Sequence, residues 1–105
     1  MYFEPGLYDS PNRSASASLL EPDAHLKDYS YVKFIKTEAF VNVVTLDSLF
    51  IKYCDLLVVD TQGFDLEVLK GARSTLHNCN WIICEYWANN AYVNACTLDQ
   101  IQEYL

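Results

Sequence analysis

The run Asp55-Leu56-Leu57-Val58-Val59-Asp60 constrains this chain more than any other. Four consecutive apolar residues, two of them β-branched, predict a strand over 55–60 buried on both faces, as strands of parallel sheets are. Thr61-Gln62-Gly63 follows as a turn. Asp65 to Leu76 has Leu69, Ala72 and Leu76 on one side at helical spacing, with Gly71 inside as a break or a close packing point. Trp81-Ile82-Ile83-Cys84-Glu85-Tyr86 predicts a second buried strand. Strand, helix and strand at this spacing form a βαβ unit, whose strands run parallel with a right-handed crossover. The C-terminal ends of both strands then share one sheet edge, the edge where open α/β sheets bind ligands. Asp60 closes the first strand and Glu85 nearly closes the second, which puts two carboxylates on that edge.

The other elements read more weakly. Met1 to Glu4 reads as the end of a strand, and Pro5, Gly6 and Pro11 break any regular element after it. Residues 21–30 are polar and read as loop. Tyr31 to Ile35 and Phe40 to Val44 are β-prone. Thr45 is placed to cap a short helix, with Asp47 in its first turn and Leu46, Leu49 and Phe50 as its apolar face. Residues 87–96 read as loop. Thr97 and Gln100 have capping-box spacing, and Leu98, Ile101 and Leu105 form the stripe of a last helix.

The 105 residues fit one small domain with a modest core. Hydrophobic residues at 51% and charged residues at 20% are ordinary globular usage, so the chain is expected to fold. A net charge of -7 repels phosphate backbones and disfavours nucleic acid as a partner. No basic stretch reads as a membrane-surface helix, and no apolar run approaches the ~20 residues that span a bilayer. Met1 to Asp9 carries two acids and no base, unlike a signal peptide. Cys54, Cys79, Cys84 and Cys96 lack Cys-x-x-Cys spacing, and neither His25 nor His77 completes a metal-ligand pattern with them. They read as reduced structural thiols, no metal is expected, and the expected compartment is cytoplasmic.

Asp60 admits two readings. A carboxylate closing a buried strand must be satisfied, either by backbone N–H groups of the following turn or by a ligand. Glu85 poses the same choice. Asp60-Thr61-Gln62-Gly63 also invites comparison with the Asp-x-Asp-Gly loop of haloacid dehalogenase-like phosphatases, but Gln62 stands where their second carboxylate is needed. Ser14, Ser16 and Ser18 offer hydroxyls, although a solvated small-residue tract is the commoner meaning of such a run. Tyr86, Trp87 and Tyr92 either line a pocket or pack.

The block from Leu57 to Ala72 resembles the motif of FkbM-family methyltransferases, hydrophobic-Lys-Ile-Asp-Val-Glu-Gly-Ala-Glu-Leu-Glu-Val-Leu-Lys-Gly-Ala. Val43-Val44-Thr45-Leu46-Asp47-Ser48-Leu49 is similar to the family's Val-x-Thr-Leu-Asp-x-Leu. Ser14 to Pro22 is similar to its serine-rich segment ending in Leu-Leu-x-Pro, and Ile82-Ile83-Cys84-Glu85 to its next strand with a glutamate. Order and spacing agree over about residues 10–105. Val58, Gln62 and Phe64 depart from the lysine, glutamate and small residue frequent at those positions.

The resemblance implies a Rossmann-like class I fold, here partial: the C-terminal half of the sheet, with the strands at 55–60 and 81–86 as its fourth and fifth. It implies S-adenosylmethionine as cofactor and methylation, generally of oxygen, on a small-molecule or glycan hydroxyl acceptor. Asp60 and Glu85 become the catalytic candidates, and Asp60, Thr61, Gln62 and Gly63 the cofactor-binding ones. Residues 1–105 are then a single partial methyltransferase domain. Its Gly-rich cofactor loop and ribose-binding acid would precede Met1, leaving the chain inactive alone. The rival expectation is a non-catalytic degenerate domain, a protein-interaction remnant of that fold.

Overall fold

The computed structural model describes residues 2–3, 17–31, 33–36, 38 and 40–105. In chain order the elements are β1 (Tyr2–Phe3), α1 (Ala24–Asp28), β2 (Ile35–Lys36), a 3-10 helix (Leu46–Leu49), β3 (Cys54–Val59), α2 (Asp65–Lys70), α3 (Arg73–His77), β4 (Cys79–Cys84) and α4 (Leu98–Tyr104). The fold is mixed α/β. β1 and β2 form an antiparallel pair, and β3 and β4 form a small parallel sheet.

The parallel pair is the unit expected from the sequence, with each strand beginning and ending slightly earlier. Cys54 faces Cys79 and Val59 faces Cys84. One step further in the same register brings Asp60 opposite Glu85, where the Glu85 N–H donates to the Val59 carbonyl at 3.0 Å. Side chains alternate across the sheet. Leu57, Val59, Ile82 and Cys84 point to the face that Leu69, Leu76 and Ile101 cover, and Val59, Leu69 and Ile101 are the buried centre of that core.

Burial on both faces, expected for these strands, is corrected. Val58 is 58% exposed and Trp81 74%, with Leu56 and Ile83 on the same bare side. The helices pack on one face, and among the described residues nothing covers the other.

The helix expected over 65–76 is two helices. Gly71 and Ala72 separate α2 from α3, and Gly71 is also a close packing point: a Cβ there would meet the Thr45 side chain at 3.4 Å. Thr45 caps as expected, its Oγ1 accepting from the Ser48 N–H at 3.2 Å. Leu49 and Phe50, expected as that helix's apolar face, are exposed. Thr97 and Gln100 form the expected capping box of α4, although Leu105 of its apolar stripe is exposed.

Three segments outside the βαβ unit differ from expectation in secondary structure. Phe40 to Val44 forms no strand and is exposed, because β propensity without a pairing neighbour fixes nothing. The strand expected over 31–35 is only β2; Val32 lies outside the described residues. Residues 21–30, expected as loop, contain α1. That helix is held from outside, since Asp23 and His25 donate backbone N–H groups to the Ala91 carbonyl and Ala24 donates to that of Asn90. The loop over 87–96 is accordingly part of the packed structure, with Ala91 and Tyr92 fully buried.

Candidate functional site

The site is built where β3 ends. The chain turns through Asp60 to Phe64 into α2, and Gln62 and Gly63 both take positive φ, 54° and 98°. Glycine adopts this readily, whereas glutamine does so at a cost. Asp65, 1% exposed, closes the turn: Oδ1 accepts from the Thr61 N–H at 2.9 Å and Oδ2 from the Gly63 N–H at 3.0 Å. Ser18 braces it from the other side, its hydroxyl donating to the Gln62 carbonyl at 2.8 Å. Ser14 and Ser16 lie outside the described residues.

Asp65 therefore does the work that one reading gave to Asp60. The turn's N–H groups go to Asp65, while Asp60 meets the Gln62 side chain, whose Nε2 donates to Asp60 Oδ1 at 2.7 Å. The same Nε2 donates to Glu85 Oε2 at 2.9 Å. Asp60 and Glu85 thus stand together at the C-terminal edge of the parallel strands, joined by one amide. Gln62 itself is buried, and the Tyr92 hydroxyl donates to its Oε1 at 3.0 Å.

Gly63 is tightly packed on the side where a side chain would stand, and it also borders a hollow of about 300 Å³ with Phe64, Glu67, Asn94 and Gln100. A Cβ on it would come within 2.9 Å of Ala95 Cβ and 3.2 Å of Leu20 Cδ1. The Thr61 hydroxyl, by contrast, is buried with no hydrogen-bond partner among the described residues.

The Glu85 carboxyl is held above its ordinary 4.5. Loss of water around it comes first, then the hydrogen bond and charge of Asp60 and the charge of Asp65, while the Gln62 amide pulls the other way. The residue as a whole is exposed, but its carboxyl end turns in toward Gln62. Burial likewise pushes the Cys84 thiol up to about 11. All four cysteines are free, and Cys84 and Cys96 pack against the core.

Two surroundings of the site escaped sequence reasoning. His25 is buried among the rings of Tyr29, Phe34, Trp87 and Tyr92, all with centroids within 5.6 Å of its own. Its Nδ1 has no partner among the described residues. No spacing signal connects α1 with the loop after β4. Asp65 had a signal, as an acid in the first turn of a helix directly after a turn, but nothing local says that it faces backward.

A hollow of about 220 Å³ opens just past Glu85, lined by Tyr86, Trp87, Asn89, Asn90, Thr97 and Asp99 among others. A larger one of about 620 Å³ is lined by Arg73, His77, Ile82 and Tyr104, away from the carboxylates. Among the described residues no group of three or more His, Cys, Asp or Glu side chains is placed to hold a metal ion, and no helix is long and apolar enough to cross a membrane.

A family model described as the methyltransferase FkbM domain matches residues 4–104. No curated protein and no solved structure matches. The match takes in both strand ends, the turn with Asp60 and Gln62, and the loop that supplies Tyr92, and it places the chain in the FkbM methyltransferase family.

Proposed function

We propose that these residues form the acceptor side of an S-adenosylmethionine-dependent O-methyltransferase, within a Rossmann-like class I sheet in which β3 and β4 are the fourth and fifth strands. The observation that carries this reading is the meeting of Asp60 and Glu85 at the C-terminal edge of two parallel strands, where such sheets bind ligands. S-adenosylmethionine, when bound, supplies a methyl group on a sulfonium with a good leaving group, so positioning provides much of the rate. Asp60, with Glu85 beside it, accepts the proton of the acceptor hydroxyl as that oxygen forms its bond to the methyl carbon and the carbon–sulfur bond breaks.

The residues of the turn divide by what they have left to offer. Asp60 is exposed, and the Thr61 hydroxyl is buried without a partner among the described residues, so these two fit contact with the cofactor's hydroxyl or ammonium groups. Gln62 and Gly63 are committed to holding the turn. The hollow past Glu85 combines aromatic faces with amide, hydroxyl and carboxylate groups, which suits a small polyhydroxylated acceptor such as a sugar. The free thiols suit a reducing compartment such as the cytoplasm.

A second reading, a non-catalytic domain on the same scaffold, is favoured by one feature: Asp60, Glu85 and Tyr92 all bond the Gln62 side chain, an arrangement that can serve to hold the turn and nothing else. Grafting residues 43–99 into the matching segment of an active FkbM-family enzyme separates the two. Methyl transfer by the folded chimera supports the enzyme. A folded chimera that binds cofactor but transfers no methyl group would sink it.

A further inference from the structure

Gln62 has each polar atom of its side chain engaged. Nε2 donates to Asp60 Oδ1 and Glu85 Oε2, at 2.7 and 2.9 Å. Oε1 accepts from the Tyr92 hydroxyl at 3.0 Å. The orientation of the amide is set by its neighbours. Flipped, it would set its carbonyl against two carboxylates and its NH2 against a hydroxyl, losing both charge-assisted bonds. The backbone carries the same message. Gln62 holds φ at 54°, unusual for a residue with a side chain, and is kept there by Ser18 on its carbonyl and Asp65 on the N–H groups either side. Strain of this sort persists where the surroundings over-determine it, and it clusters at functional sites.

We propose that Gln62 is the positioning residue of this site: its amide, oriented by Tyr92, ties Asp60 and Glu85 into one two-carboxylate unit of fixed geometry. The inference rests on the methyltransferase reading, in which that pair faces the acceptor hydroxyl. Each carboxylate gives one oxygen to Gln62, and Asp60 Oδ2 and Glu85 Oε1 are the oxygens that Gln62 does not use. A glutamate at this place would set a third charge against the other two. Glutamine instead supplies two N–H donors and lets the carboxylates approach.

The groups bearing on Glu85 are Asp60 at the end of β3, Asp65 at the start of α2, the Cys84 thiol beside it on β4, and the Gln62 amide. Loss of water first, and then the acids, raise its proton affinity, and Gln62 lowers it. Removing the amide therefore has a signed consequence that a purely structural role lacks.

The experiment is a side-chain carboxyl titration of the full chain by carbon-detected NMR, in the wild type, Gln62→Met and Tyr92→Phe. It needs neither cofactor nor acceptor, so it fails independently of the methyl-transfer reading. In the wild type, the Gln62 side-chain amide proton signals shift with the midpoint of Glu85. In Gln62→Met that midpoint rises by about half a pH unit or more, and in Tyr92→Phe it rises by less. An unchanged midpoint in a folded variant overturns the proposal. If neither variant folds, the wild type decides alone: Gln62 amide signals that do not follow Glu85 overturn it.

Discussion

Asp65 closes its carboxylate onto Gly63, two residues back, with Oδ2 on the Gly63 N–H at 3.0 Å and the other oxygen on the Thr61 N–H at 2.9 Å. The turn that presents Asp60 is thus held by a second acid at the head of α2, buried to 1% exposure. Asp65→Ala leaves two N–H groups without their acceptor, and each such loss costs about 1–3 kcal/mol. We expect the variant to lose about 3 kcal/mol in urea unfolding. A loss under about 0.5 kcal/mol, the range of an ordinary surface change, would show that water replaces the carboxylate.

Gly63 is fixed by two separate causes, and one pair of variants separates them. Its φ of 98° strains any other residue, and Ala95 Cβ stands 2.9 Å from where its own Cβ would be. Gly63→Ala is expected to cost about 2–3 kcal/mol. Adding Ala95→Gly removes the contact but not the backbone strain, so thermal unfolding of the double variant should show partial recovery. Full recovery would assign the whole cost to the contact.

Two carboxyls make stability depend on pH with opposite signs. Asp47 Oδ2 accepts from the Ser74 N–H, and Oδ1 from the Thr75 N–H and hydroxyl, at the head of α3. The Ser74 bond leads in holding this carboxyl below its ordinary 3.8. Its contribution is therefore present above pH 3.8 and is lost as the pH falls through the lower folded value. Glu85 is held above 4.5, so the folded state binds that proton more tightly, and its contribution is lost as the pH rises past 4.5. Asp47→Asn should melt below the wild type at pH 7, with the gap closing in acid. Glu85→Gln should melt at or above the wild type at pH 7, with any advantage vanishing below pH 4.5. Melting curves across pH check both signs.

The βαβ unit was legible because its determinants are local. The apolar run of β3, the turn residues after it and the parallel spacing to β4 together bring Asp60 and Glu85 to one edge. What joins the two acids was not legible. Gln62 adopts a conformation that sequence rules give to glycine, and its partners Ser18 and Tyr92 lie 44 and 30 residues away. α1 was missed for the same reason, since backbone bonds to residues 90 and 91 hold it and no apolar stripe announces it. Phe40 to Val44 failed the other way, having the composition of a strand but no neighbour to pair with among the described residues.

The 105-residue chain alone is expected to bind S-adenosylmethionine weakly or not at all, because its glycines make no Gly-x-Gly cradle and Asp65 already takes the Thr61 and Gly63 N–H groups. Calorimetry on the purified chain checks this. A submicromolar dissociation constant, about -8 kcal/mol or better, would place the cofactor cradle within these residues.

Asp60 is expected to matter through its chemistry and not through stability. Its side chain is exposed at the end of β3, and the backbone of its turn belongs to Asp65. Asp60→Asn keeps the size and one acceptor oxygen for the Gln62 amide but removes the charge and the basicity. In the chimera that carries this block, stability should move by no more than about 0.5 kcal/mol, while turnover falls by about 100-fold or more, the scale of a lost general base. Asp60→Ala removes the acceptor as well, so it should also loosen Gln62 and disturb Glu85. Turnover and thermal unfolding measured on the same preparations decide the matter. A loss of turnover that merely follows a loss of stability would make Asp60 a structural acid. Near-normal turnover in a stable Asp60→Asn chimera would remove it from the chemistry and leave Glu85, one strand over and bound to the same amide, as the base.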